Sequence, residues 1–173
     1  MLRARRERSN MDINELMLTP MRQHHLYEIH SGRYEGEYAF YNWPESPEPP
    51  VRPDAFAEGI CLAALDADGR VAGHFHFGED ARIPTAENYD YVPGYADIGL
   101  GLRPDLCGHG YGSAFVQLGL DYARAQLYAQ RFRLSVAAFN RRAIKTYQRC
   151  GFDIVAQVTN AYFKNQFFIM TLE

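Results

Sequence analysis

Three glycines at alternate positions, Gly108, Gly110 and Gly112, lie between a strand-like run that stops at Pro104 and a helical pattern. A strand, a glycine loop and a helix start leave free backbone N–H groups at the helix N-terminus, where the helix dipole adds about half a positive charge. Glycine lets a bulky anion approach those groups closely. The feature therefore predicts either a phosphate-binding loop or a purely structural turn.

The two best-known phosphate-binding loops do not fit this spacing. A P-loop needs a lysine after its last glycine, and no lysine lies near. The dinucleotide pattern G-x-G-x-x-G fails because its sixth position is Ser113 when counted from Gly108, and Phe115 when counted from Gly110. The loop also follows a hairpin in mid-chain and does not belong to an opening β-α-β unit. The glycines alone do not specify the anion.

The patterns along the rest of the chain predict one mixed α/β domain around a single sheet, and 173 residues suit one domain. A short strand ends at Pro20, helix-like stretches follow to Trp43, and the proline-rich residues 43–54 are a loop. Residues 59–80 read as a β-hairpin with its turn at Asp68-Gly69. Further strands are predicted at 96–104, 131–139, 152–160 and 165–173, with helices from about Gly110 and over 140–151.

The two helices near the glycine loop have readable faces and ends. Asn140 is the predicted N-cap of the second helix, and Gly151 follows its last turn. The first helix has an apolar stripe made of Phe115, Leu118, Tyr122 and Ala125.

Composition excludes several classes of protein. The net charge of -3 argues against a nucleic-acid-binding protein. No apolar run approaches the roughly 18 residues of a membrane span, and the N-terminus has no signal-peptide core, so we expect no membrane partner and a cytoplasmic location. The widely separated Cys61, Cys107 and Cys150 are typical of reduced thiols and argue against a zinc site. Residues 1–10 carry four arginines and read as a disordered tail, with Met11 as a candidate native start.

Two blocks of the sequence resemble the GNAT superfamily of acetyl-coenzyme A-dependent N-acetyltransferases. The first, "ADIGLGLRPDLCGHGYGSAF", contains the family's loop pattern [Q/R]-x-x-G-x-[G/A], with Cys107 at the position of Arg or Gln. The second, "LSVAAFNRRAIKTYQRCGF", matches N-x-x-A-x-x-x-Y-x-x-x-G-F. The resemblance implies that residues 11–173 are a single N-acetyltransferase domain, with a six- to seven-stranded mixed sheet, about four helices and splayed strands at the cofactor site.

The resemblance implies acetyl-CoA as co-substrate and no metal. In the family, backbone amides of the glycine loop bind the pyrophosphate, and the strand before the loop pairs with the pantetheine arm. Asn140 caps its helix and is expected to contact the arm. The predicted cofactor-binding residues are Leu100, Gly101, Leu102, Cys107, Gly108, His109, Gly110, Tyr111, Gly112, Ser113 and Asn140.

Two residues are predicted to take part in catalysis. Tyr147 stands where the family has a general acid that protonates the leaving thiolate, although a tyrosine on a short amphipathic helix is also an ordinary core residue. Asp97 stands near the position of a family glutamate that deprotonates the amine through water. The alternative is a solvated carboxylate at a strand end.

The acceptor is less well specified by the sequence. In the family, the first helices and their loop form the wall of the acceptor cleft, and this region contains Tyr34, Tyr38, Tyr41, Asn42 and Trp43, for which ordinary packing is an equal explanation. The acceptor is expected to be a primary amine of a small molecule or a protein N-terminus. The acidic loop around residues 79–90 would attract a cationic amine, or is simply solvated.

Some features leave alternatives open. His74 and His76 share one strand face, as a metal pair or as surface or cleft histidines. Gly99 and Gly101 within a strand indicate close approach of a ligand or a bulge. A non-catalytic coenzyme A-binding sensor or interaction module is the rival function, and a homodimer is the commonest assembly for a chain of this kind.

Overall fold

The structure, a computed structural model, describes residues 11–47 and 59–173. Seven strands form one sheet in the order β1-β2-β3-β4-β5-β7-β6. Neighbouring strands are antiparallel except for β4 and β5, which are parallel. The elements are β1 Met17–Pro20, α1 Gln23–Ser31, β2 Ile60–Leu65, β3 Val71–Phe77, β4 Ala96–Leu102, α2 Gly112–Leu127, β5 Phe132–Ala137, α3 Arg141–Arg149, β6 Asp153–Thr159 and β7 Gln166–Leu172.

The element order confirms the predicted fold class. The hairpin is β2 and β3, its turn includes Gly69 at φ +77°, and the closing antiparallel pair is β6 and β7. The described residues contain three α-helices, and the 3-10 helix Gly36–Tyr41 occupies the second helix-like stretch. Residues 1–10, predicted as a tail, and most of the predicted proline-rich loop lie outside the described residues. No helix among the described residues is long and apolar enough to cross a membrane.

The central parallel pair separates soon after it forms. β4 and β5 are paired only at Ala96 with Phe132 and at Asp97 with Arg133. From there β4 continues to Leu102, whereas β5 joins β7 along its whole length. The splayed strands are therefore present, and the edge of β4 that faces β5 is open after Asp97.

The face of α2 that packs on the sheet differs from the predicted stripe. Phe115 stacks on Phe75 of β3 with ring centroids 4.4 Å apart, but Ala125 is exposed. A Cβ at Gly119 would lie 2.4 Å from the Phe75 ring, so glycine lets the helix approach the strand closely. The buried face is rotated relative to the predicted stripe, which missed Val116 and Leu120 as well as the small Gly119 and Ala123. The buried residues of α2 are Phe115, Val116, Gly119, Leu120 and Ala123.

Candidate functional site

A cleft of about 1810 Å³ opens where β4 and β5 diverge. The cleft is lined by residues of α1 and the segment after it, of β3 and β4, of the glycine loop and of α3. The structure thus brings together nearly all the predicted site residues. Those that line the cleft are Tyr34, Tyr38, Tyr41, Asn42, Trp43, Leu100, Gly101, Leu102, Cys107, Gly108, His109, Gly110, Gly112, Ser113, Asn140 and Tyr147.

The glycine loop presents backbone to the cleft. Gly108 and Gly110 have φ values of +80° and +90°, and a Cβ at either position would meet no atom within 4 Å. Gly112 begins α2, and no side chain caps this helix N-terminus. The loop therefore combines open backbone with the positive end of a helix dipole, as an anion site requires. The side chain of Tyr111, a residue predicted to bind cofactor through the loop backbone, packs against the main core, and the residue is not part of the cleft lining.

Cys107 occupies the first position of the loop pattern. Its thiol lies 3.6 Å from the carbonyl oxygens of Leu102 and Arg103, and burial raises its pKa. The side chain is therefore a neutral thiol at neutral pH, and it brings no positive charge to the loop.

Positive charge comes instead from α3, whose role the sequence analysis did not include. Arg141, Lys145 and Arg149 follow the i, i+4, i+8 spacing of one helix face, and together with Arg142 they line the cleft beside the glycine loop. The guanidinium of Arg142 lies 4.2 Å from the centroid of the Tyr38 ring. The repeat of these cations at helical spacing, within the second block that resembles the family, is the signal that would have identified them.

Tyr147 lies on α3 with its ring against Phe152, at a centroid distance of 6.1 Å. Burial raises the pKa of its phenol, and the nearby Tyr41 and Tyr34 raise it further. Its hydroxyl makes no hydrogen bond to any of the described residues. Tyr147 therefore presents a protonated, unoccupied O–H group to the cleft at neutral pH.

Tyr34 and Asn42 are held by each other and by β4. The Tyr34 hydroxyl donates to the carbonyl oxygen of Leu102 at 2.7 Å. The Asn42 side chain accepts from the Tyr34 backbone N–H at 2.7 Å and donates to the Tyr34 carbonyl at 3.0 Å. These contacts hold the segment that carries Tyr34 and Asn42 against β4. Both residues therefore shape the cleft through hydrogen bonds to backbone groups.

Asn140 has two partners in the protein. Its side-chain oxygen accepts from the Ala143 backbone N–H at 3.1 Å, which confirms the predicted N-cap of α3. Its amide nitrogen donates to the Tyr41 hydroxyl at 3.1 Å. Asn140 therefore joins the start of α3 to the opposite wall of the cleft.

Asp97 does not reach the cleft, and the proposed role as a base needs correction. Its side chain is buried and accepts hydrogen bonds from Arg133 Nε at 2.6 Å, Arg133 Nη2 at 2.9 Å and Arg82 Nε at 2.7 Å. It lines a separate pocket of about 370 Å³ that shares none of the cleft's residues. Both carboxylate oxygens are already engaged by guanidinium groups, so the side chain is held away from an amine in the cleft.

His74 and His76 line the cleft and explain the two glycines in β4. They pair across the strands with Gly101 and Gly99 without a shift in register, so these glycines do not form a bulge. A Cβ at Gly101 would lie 2.4 Å from Cε1 of His74, and a Cβ at Gly99 would lie 2.0 Å from Nε2 of His76. The glycines therefore make room for two imidazole rings. No group of three His, Cys, Asp or Glu side chains in the described ranges is placed to hold a metal ion.

Burial of these rings gives the fold a pH dependence. It lowers the pKa of His74 to about 3 and also lowers that of His76. Below about pH 6.5 the unfolded chain binds protons that the folded chain does not, so the free energy of unfolding falls by about 1.4 kcal/mol per pH unit for each such group. Stability is thus fully present above pH 6.5 and is lost as the pH falls toward the folded pKa.

We expect His74→Gln to reduce this acid sensitivity. Urea unfolding at pH 7, 6 and 5 should show a smaller loss of stability for the variant than for the wild-type protein, since one neutral buried histidine has been removed. An identical loss in both proteins over this range would contradict the assignment.

The comparisons with known proteins agree with this geometry. The model of the acetyltransferase (GNAT) family matches residues 24–152, well over half of the chain. The chain therefore belongs to the GNAT family of acetyltransferases, and the predicted resemblance is confirmed.

Among curated relatives, the mycothiol acetyltransferase of Clavibacter michiganensis subsp. michiganensis (strain NCPPB 382) is 35% identical over 97 residues. The match covers 56% of this chain and 28% of that protein, so the chain spans less than a third of the curated relative. A spermidine N-acetyltransferase from Vibrio cholerae, solved in complex with CoA and spermine, superposes with a TM-score of 0.65 at 20% identity and covers 92% of this chain and 95% of that chain. A chimera of the Vibrio cholerae enzyme SpeG and hSSAT gives the same TM-score at 20% identity, with 91% and 95% coverage. These structures share the fold.

Proposed function

We propose that the protein transfers an acetyl group from acetyl-CoA to a primary amine, by direct attack within a ternary complex. The observation that carries this proposal is the open edge of β4, which leads within one cleft to a glycine loop at the N-terminus of α2. An extended thioester cofactor with a pyrophosphate at its other end fits this arrangement, since one part needs a strand edge and the other an anion site.

The pyrophosphate would bind at the backbone of residues 108–113. Cys107 supplies no charge, so Arg142, Lys145 and Arg149 on α3 take over the electrostatic part of phosphate binding. The pantetheine arm would run back along Leu100–Leu102. The Leu102 carbonyl oxygen already accepts a hydrogen bond from the Tyr34 hydroxyl. The backbone groups of Leu100 and Gly101 therefore remain available to bind the arm.

The chemistry forms an N–C bond and an S–H bond, and it breaks the C–S bond and one N–H bond of the amine, so the proton that the amine loses balances, through solvent, the one that the sulfur gains. The amine nitrogen attacks the acyl carbon, the C–S bond breaks, and the sulfur leaves as a thiolate. Tyr147 would donate its phenolic proton to that sulfur, since its pKa is raised and its hydroxyl is not held by another described residue. The products are an N-acetylated amine and coenzyme A.

The acceptor is proposed to be a primary amine of a small molecule or of a protein N-terminus. Tyr38 and Tyr41 pack on Phe139 at centroid distances of 6.4 Å and 6.0 Å and form an aromatic wall suited to a desolvated amine.

Polyamines, which appear in the name of the Vibrio cholerae enzyme, are less well matched by the charges of this cleft. Three carboxylates line it, and two of them are occupied: Glu28 accepts from the Val71 N–H and Asp105 pairs with Arg103. The remaining one is Glu35. The predicted acidic loop does not help, because residues 79–90 do not line the cleft. We therefore favour an acceptor with a single amine over one with several positive charges.

The function is tested in two steps. Thermal unfolding is first followed with and without acetyl-CoA, where a higher midpoint reports binding. Thiol release is then measured with a panel of peptides with free N-termini, amino acids, amino sugars and spermidine. Release with an amine that depends on both substrates supports the transferase. A thermal shift without release across the panel favours a coenzyme A-binding module, and no shift at all contradicts both functions.

Gly110→Ala is expected to weaken acetyl-CoA binding about tenfold, because a side chain would strain the loop backbone and intrude on the phosphate position. The matched control is Gly69→Ala in the β2–β3 turn, where φ is also positive and the space is also open. Both variants should lose similar stability, about 1 kcal/mol. Isothermal titration with acetyl-CoA distinguishes them, and equal affinities would contradict the proposed phosphate site.

A further inference from the structure

His74 and His76 line the cleft, yet the function proposed above gives them no role. Their rings are 6.2 Å apart and within 13° of parallel. Each ring extends over a glycine of β4, and on its far side β4 has no strand partner in this region. The imidazole groups therefore approach the opening between β4 and β5 from the side of β3.

His76 lies at the reacting end of that opening. Gly99, over which its Nε2 atom lies, comes two residues after Asp97, the last residue of β4 that pairs with β5. The glycine loop, where the pyrophosphate would bind, follows the other end of β4. An arm that runs back along β4 from the loop therefore brings its acyl end toward Gly99. His74 lies over Gly101, closer to the loop.

We propose that His76 is the group that accepts the proton of the acceptor amine, with His74 as the positioning residue that stacks against it. This inference rests on the proposed transferase function. As the N–C bond forms and the C–S bond breaks, the amine proton moves to an unprotonated ring nitrogen of His76, while the thiolate takes the proton of Tyr147. His76 then releases its proton to solvent, and Tyr147 regains one.

The electrostatic surroundings suit this role. Burial lowers the pKa of both imidazoles, so each has an unprotonated nitrogen at neutral pH. The exposed Asp80 raises the pKa of His76, which partly restores its basicity and offers a path to solvent. Titratable groups on the neighbouring strand and helix include Cys61 and Glu28. Cys61 of β2 pairs with His76 and is a neutral thiol, its pKa raised by burial to about 11, and Glu28 of α1 is bound to the Val71 N–H.

The test compares His76→Gln with the wild-type protein, using thiol release with the amine that the panel identifies. We expect turnover with saturating substrates to fall at least about 100-fold, with the Kd of acetyl-CoA unchanged. The wild-type kcat/KM should decline on the acid side as His76 becomes protonated, and the variant should lose this limb. His74→Gln should keep the limb, because His76 and the burial that lowers its pKa are both retained.

Two further measurements remove ambiguity about folding. The pKa of the His76 imidazole, read by NMR in the wild-type protein, should coincide with the acid limb of kcat/KM. Gly99→Ala should displace the His76 ring and reproduce its loss of turnover. Full activity of a folded His76→Gln protein, or an imidazole pKa that differs from the acid limb, would overturn the assignment while leaving the transferase intact. A wild-type protein that binds no acetyl-CoA or releases no thiol would overturn the proposed function, and this inference with it.

Discussion

Replacement of Tyr147 by phenylalanine is expected to lower turnover by about 100- to 10,000-fold, the range typical of a lost general acid. The Tyr147 phenol faces the cleft from α3, and its raised pKa keeps it protonated well above neutral pH. Phenylalanine keeps the ring contact with Phe152 and removes only the hydroxyl. The Kd for acetyl-CoA should therefore change little, and steady-state kinetics combined with titration calorimetry would show the separation.

Tyr34→Phe is the matched control in the same cleft. Its hydroxyl is engaged with the Leu102 carbonyl, so its loss should cost about 1 kcal/mol of stability and change turnover by only a few-fold. Equal loss of turnover in the two variants would mean that the cleft depends on its hydroxyl groups in general. Unchanged turnover of Tyr147→Phe would remove Tyr147 from the mechanism.

The position of the cleft was predictable because the relevant signals are local in sequence. A strand, positive-φ glycines and a helix start are specified by neighbouring residues, and the cap at Asn140 needs only the next three. The contribution of α3 was also visible, since Arg141, Lys145 and Arg149 repeat at helical spacing. The motif N-x-x-A-x-x-x-Y-x-x-x-G-F assigns them no role, because all three cations stand at its unspecified positions.

The roles of Gly99 and Gly101 could not be predicted in the same way. Glycine is needed at both positions because the register between β3 and β4 places a histidine ring over each of them. Register is set by the packing of both strands and is not encoded in either one alone. Asp97 was misassigned for a similar cause, because its partners Arg133 and Arg82 come from other parts of the chain.

The ion pair of Asp97 with Arg133 predicts a large effect on stability. Both side chains are buried, at 4% and 1% exposure, and the pair lies at the last point where β4 and β5 are joined. Asp97→Asn would leave a buried guanidinium without its counter-charge, which is expected to cost about 3–5 kcal/mol of unfolding free energy. For a domain of this size the thermal midpoint should fall by about 10 °C, as measured by calorimetry.

Glu79→Gln is the control, because Glu79 accepts from the same Arg82 at 2.8 Å but its side chain is 76% exposed. Its stability should stay within about 0.5 kcal/mol of the wild-type value, since exposed pairs contribute little. Turnover per folded molecule distinguishes the two roles of Asp97. If Asp97 only joins β4 to β5 where the two strands begin to diverge, the Asp97→Asn protein should be destabilised and should keep the acid limb of kcat/KM. A base would give the reverse, with normal stability and a lost limb, and that result would return the proton-accepting role from His76 to Asp97.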